Sequence, residues 1–194
     1  MKFIILFIFN LNLLILPPSG VQDSELPRSL NRDLRKQMGI ENPDFKLISS
    51  YDHSANSAFY AVEQNKKLAA YTYIGRVFTC RSGGCNAPSV NNQTADSEYF
   101  DYYIMFDTEA TVKFVKVYNY AATHGQEISA AWWLRQFEGY QGKERLQSGK
   151  NIDAISGATI SAVAATNDIQ FVTKQLIKLI NDPSHQKQTA SSLK

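Results

Sequence analysis

Segments rich in β-branched and aromatic residues follow one another along the middle of this 194-residue chain, and its longest helical pattern comes only after the last of them. The strand-like segments are 45–50, 58–63, 68–80, 99–106 and 111–120. Short polar stretches join two pairs of them, Gln64-Asn65-Lys66-Lys67 and Asp107-Thr108-Glu109. Parallel strands need a long crossover between them, whereas antiparallel strands close through such turns. The order therefore predicts an α+β fold, an antiparallel sheet with helices packed on one face. The helical segments are three. Ser24 to Met38 carries Leu26, Leu30 and Leu34 on one stripe, with Gly39 as a stop signal. Its polarity suggests a surface element or an adaptor to a partner. Gln126 to Phe137 carries Ile128, Trp132 and Phe137. The last helix runs from about Ser161 to Ile180, with Val163, Ile169, Val172, Leu176 and Ile180 on one side.

Hydrophobic residues at 44% and aromatics at 12% give enough apolar side chain for a packed core. A net charge of +2, with the basic residues scattered among acidic ones, argues against nucleic acid as a partner. The chain starts with Met1-Lys2, runs apolar from Phe3 to Leu16 and exits through Pro17-Pro18-Ser19-Gly20. One positive charge, a short apolar stretch and a small-residue exit describe a secretory signal peptide over residues 1–22, cleaved near Gly20 to Gln22. The run is shorter than the roughly 20 residues that span a bilayer. An uncleaved anchor is the alternative. The expected organisation is then a helical segment at 23–44, one domain at 45–182, and a flexible polar tail at 183–194. An exported protein of this kind would work in the periplasm or on the outer face of the membrane.

The stretch Asp153-Ala-Ile-Ser156-Gly157-Ala158-Thr159-Ile-Ser161 concentrates hydroxyls around a glycine just ahead of the last helix. A glycine turn opening a helix presents free backbone N–H groups and the positive end of the helix dipole, a seat for phosphate. The same residues are also ordinary capping and turn chemistry, with Ser161 as a possible cap, and the two roles are compatible. Ser156-Gly157-Ala158-Thr159, with Asp153 ahead of it, resembles the flavinylation motif of bacterial FMN-binding domains. Such domains occur in the flavoprotein subunits of sodium-translocating NADH:quinone reductases and in extracytoplasmic electron-transfer proteins. The resemblance covers residues from about 60 to 180. It implies FMN joined through a phosphoester to Thr159, presented by Asp153, Ser156, Gly157 and Ala158, with a separate flavin transferase to install it.

Thr123-His124-Gly125-Gln126-Glu127 lies between a strand and a helix, where backbone N–H groups or Gln126 can approach a flavin. The family often has a histidine–glutamate–threonine run with glycines here; His124 and Glu127 are present, but the spacing differs and the threonine precedes the histidine. His124 reads equally as a loop residue at a helix entry. Trp132, Trp133 and Tyr140 offer π faces for the flavin ring. The competing reading is core packing, stronger for Trp132 because of its helical spacing from Ile128. Arg135 and Lys143 are either positive charges beside the flavin or solvated surface groups.

Cys80 and Cys85 close a tight turn, Cys80-Arg-Ser-Gly-Gly-Cys85, and are the only cysteines of the chain. In an exported protein a structural disulfide is the first reading, a redox-active dithiol the second, and a metal or partner contact the third. The histidines His53, His124 and His185 lie far apart, so an acid/base constellation is not evident. Three classes of function remain. The first is an FMN carrier relaying electrons to a membrane or extracytoplasmic redox partner. The second is a small flavin-dependent reductase using the cysteine pair, and the third a non-redox secreted binding module.

Overall fold

The computed structural model describes residues 26–51, 57–81 and 97–182. The expected signal peptide, the polar loop at 91–96, Cys85 and the tail lie outside the described residues. Five strands form one sheet in the order β1-β2-β3-β4-β5, with every neighbouring pair antiparallel. They are β1 (Asp44–Tyr51), β2 (Ser57–Gln64), β3 (Lys67–Arg81), β4 (Ser97–Phe106) and β5 (Val112–Ala121). The β2–β3 hairpin turns through Asn65 and Lys66, both with positive φ (52° and 62°). Two consecutive left-handed residues give a turn whose twist matches that of the strands it joins. The turn before β5 is held by Asp107, whose Oδ1 accepts from the N–H groups of Glu109 (3.0 Å) and Thr111 (2.9 Å). The α+β class expected from the order of segments is the class observed.

The helices occupy both faces of the sheet, which corrects the expectation of one. Strand alternation divides the aromatic side chains between two cores. Tyr73 and Val77 of β3, with Phe100, Tyr102, Ile104 and Phe106 of β4, face the last helix, α3 (Thr159–Asn181). Ala70, Ile74, Tyr103 and Met105 face the first, α1 (Leu30–Met38). Because these strands are apolar on both sides, a single helical layer would have left one face wet. Leu30 and Leu34 of α1 are fully buried, so this helix is part of the fold and not a free adaptor. Asp33 fastens it: its Oδ2 accepts from Tyr103 Oη (2.5 Å) on β4 and Lys116 Nζ (2.6 Å) on β5. The helix starts at Leu30, later than Ser24. Pro27 disfavours helical backbone at Leu26, and the Leu30 N–H instead closes a turn onto the Pro27 carbonyl.

The segment expected as one helix from Gln126 to Phe137 is broken. Gln126–Ser129 and Arg135–Phe137 are 3-10 turns flanking a single α-turn, α2 (Ala131–Leu134). Ala130 sits between the first two with extended backbone (ψ 129°), which resets the phase of the side chains after it. On α3 the buried face is Ala162, Ala165, Ile169, Val172 and Leu176. Val163, expected on that side, is exposed, because six residues to Ile169 is not a whole number of turns.

Candidate functional site at the head of the last helix

Gly157 adopts φ +82°, a left-handed conformation that glycine enters without the steric cost of a side chain. The chain reverses there and enters α3 two residues later. Ala158 is buried and its N–H bonds back to the Ile155 carbonyl (3.1 Å), so it pins the loop while Ser156, Gly157 and Thr159 stay on the surface. Thr159 is the first helical residue, and Ala158 at the cap position offers no side-chain hydrogen bond. The first N–H groups of a helix have no acceptor within it. Here they are also left without a capping side chain, at the positive end of a 23-residue helix.

Ser161 does not cap, contrary to expectation. The helix begins before it, and its buried hydroxyl lies in the first turn, 3.0 Å from Tyr120 Oη. Tyr120 donates its own proton to the His124 carbonyl (2.6 Å), so Ser161 is the donor in the second contact. Burial raises the Tyr120 phenol, the Ser161 contact works against that, and Glu127 and Glu98 add to the rise. The phenol is therefore neutral and available for both bonds. Gly125 (φ +89°) packs against the same pair: a Cβ there would lie 2.5 Å from Ser161 Oγ and 2.8 Å from Tyr120 Oη. His124 and Gln126 flank this glycine with exposed side chains. The end of β5, the 123–127 loop and the first turn of α3 thus meet at one place, although they are far apart in sequence.

Asp153 is held by its main chain from two sides. Its carbonyl accepts from Trp133 Nε1 (2.8 Å) and its N–H donates to Gln136 Oε1 (2.9 Å), while its carboxylate is exposed. Trp133 is wholly buried against Phe137, and Tyr140 is buried with its hydroxyl on the Glu144 carbonyl (3.0 Å). Neither is free to shelve a flavin ring, which corrects that expectation for both. The roles of the two tryptophans are reversed: Trp132 is 53% exposed, because the break at Ala130 removes its helical spacing from Ile128. Arg135 is a surface group, and Lys143 donates to Gln141 Oε1 (2.9 Å) in solvent. Cys80 lies in β3 near its end, and its pairing with Cys85 falls outside the described residues.

Tyr120 and Trp133 are the supporting residues that the sequence did not single out for this role. Tyr120 had a faint signal, an aromatic at the end of a strand next to the polar 123–127 run. Trp133 had none, because its partner is a backbone carbonyl.

The site is thus a surface threonine at the uncapped head of a long helix on an α+β sheet, a geometry suited to a phosphorylated ligand. The family model of the FMN-binding domain matches residues 98–174, from β4 into α3, and includes the whole of this site. Residues 98–174 are thus similar to an FMN-binding domain, which supports a flavin-binding protein. A search of curated proteins finds no match to the chain.

Proposed function

We propose that this protein carries FMN joined by a phosphoester to Thr159 Oγ1 and serves as an exported electron carrier for a membrane or extracytoplasmic partner. The observation that carries this reading is the exposed Thr159 hydroxyl at the uncapped start of α3, within the stretch that matches the FMN-binding domain. The donor set fits the group. The phosphate would lie against the free amides of the first turn, with Gly157 and Ser156 leaving room beside it. Bound there, FMN supplies one- and two-electron redox chemistry. The protein's part is to hold and orient it: Tyr120 and Ser161 fix the helix start, and Trp133 and Gln136 fix the loop through Asp153. The exposed faces of Trp132 and Ile160 are the apolar surface offered near these elements.

A hydroxyl on the surface is accessible to a flavin transferase, the partner this reading requires. Covalent attachment suits a protein that works outside the cytoplasm, where a dissociable cofactor is lost by dilution. The test is intact mass of the denatured protein after co-expression with a flavin transferase. The expected result is a gain equal to FMN less one water, located on the peptide that contains Thr159 and absent from the Thr159→Ala variant. An unmodified mass, with the transferase active on a control substrate, overturns the covalent reading.

A further inference from the structure

A second concave site lies further along α3. On the α3 side of the sheet β3 presents Tyr73, Gly75 and Val77, and the Tyr73 phenol lies across Gly75, where a Cβ would collide with it. Opposite them α3 presents Ala164, Asn167, Asp168, Phe171 and Val172, which share one helical face. Ser57 of β2 adds a further wall. The groove between them has a volume of about 750 Å³, within the range typical of small-molecule sites. Its walls are mainly apolar, and Phe171 stands 51% exposed.

Asp168 is the chemically unusual member. Its Oδ2 accepts a hydrogen bond from the buried Tyr102 Oη at 2.5 Å. Among the described residues, the ion pairs are all made by other carboxylates, so Asp168 has a donor but no counter-charge. The groups facing it from the sheet are the phenols of Tyr102, which burial keeps protonated, and Tyr73. Arg76 also borders the groove, but its guanidinium is engaged by Asp101 at 2.6 Å and covers the Tyr99 ring, so its charge is matched there and not by Asp168. A carboxylate in an apolar-walled groove repels anions, and a neutral apolar occupant would bury its charge without compensation. A cation supplies what the site lacks, and the aromatic rings of Tyr73 and Phe171 are suited to one.

We propose that this groove binds a small organic ammonium ion, its charged nitrogen against Asp168 and its apolar body along Val77, Ala164 and Val172. The site does not depend on the flavin reading. Asp168 is nine residues after Thr159 on the same helix, roughly 13 Å further along its axis. Burial raises the Asp168 carboxyl to about 6, while the Tyr102 bond opposes the rise. Affinity for an ammonium ion is therefore expected to fall as the pH drops through that value.

The experiment is calorimetric titration of the full-length protein at pH 7.5 with phenethylammonium, and with 2-phenylethanol as the neutral analogue of similar shape. The expected result is saturable binding of the ammonium, with the alcohol about tenfold weaker or worse. Asp168→Asn should weaken the ammonium by a similar factor and leave the alcohol unchanged. Ala164→Trp, which fills the groove and leaves the carboxylate, should remove both. Equal binding of alcohol and ammonium, full affinity in Asp168→Asn, or no binding of the ammonium at about 10 mM overturns the proposal.

Discussion

The Tyr120 hydroxyl stands 3.0 Å from Ser161 Oγ and also reaches the His124 carbonyl, so one phenol ties the end of the edge strand β5 to the first turn of α3. Tyr120 also stacks on Phe100 of β4, the ring planes 5° apart, which fixes where its hydroxyl points. The position of the Thr159 turn is thus set by a rigid aromatic anchored in the sheet.

Tyr120→Phe keeps the ring packing and removes both hydrogen bonds. Ser161 Oγ is then left buried without its partner, which costs about 1–2 kcal/mol. The expected result in urea denaturation is a loss of that size, with slower flavin incorporation by the transferase. Unchanged stability would mean that water replaces the phenol at Ser161.

Gly125 and Gly139 make a controlled pair. Both are left-handed, at φ +89° and +86°, but a Cβ at Gly139 meets nothing within 4 Å. Gly139→Ala should therefore cost only the backbone term of about 1 kcal/mol. Gly125→Ala adds a collision with Ser161 and Tyr120 and should cost about 1–2 kcal/mol more, since two hydrogen-bonded hydroxyls must move. Melting curves of the two variants separate the terms, and equal losses would show that the 123–127 loop yields without strain.

The sheet and the loop before α3 were legible because runs of β-branched and aromatic residues and a glycine turn are local properties of the chain. The 58–63 and 68–80 segments read as a hairpin from residues that are neighbours in sequence. The second apolar face was not read, since each strand was assigned one buried side and α1 was judged by its own polarity. Asp33, whose partners Tyr103 and Lys116 are remote in sequence, gave no local sign of docking. The reversal of Trp132 and Trp133 has a comparable origin: a single extended residue, Ala130, moves every later side chain to another direction. Asp168 left one clue that went unused, a lone carboxylate one helical turn from both Ala164 and Val172.

The two tryptophans should respond oppositely to substitution. Trp133→Phe leaves a void in the core and frees the Asp153 carbonyl, with an expected loss of about 2–3 kcal/mol. Trp132→Ala removes a half-exposed side chain and should stay within about 0.5 kcal/mol of the parent. If the flavin rests against the exposed Trp132, the loaded Trp132→Ala protein should nevertheless show a shifted flavin absorption band and stronger flavin fluorescence. Denaturation curves give the first contrast, and spectra of the loaded protein give the second.

Two carboxylates act on stability in opposite directions as the pH changes. Burial raises Asp33, but hydrogen bonds from Lys116, Tyr103 and Arg32, together with the Lys116 charge, bring it below its ordinary value of 3.8. A lowered carboxyl contributes stability that is present above the unfolded value and lost as the pH falls through the folded one. Asp168 is the reverse, raised by burial from 3.8 to about 6 against the Tyr102 bond. Its contribution is complete below the unfolded value and is lost as the pH rises through 6. Asp168→Asn retains an acceptor for Tyr102 and removes the buried charge. It should stabilise the protein by about 2 kcal/mol at pH 7.5, with the gain shrinking between pH 6 and 4. Asp33→Asn leaves Lys116 without its counter-ion and should cost about 1–3 kcal/mol at pH 7.5, with the loss narrowing only below pH 4. Urea denaturation of both variants and the parent from pH 3 to 8 tests the pair, and a constant difference across that range for Asp168→Asn would show that its carboxyl is not raised.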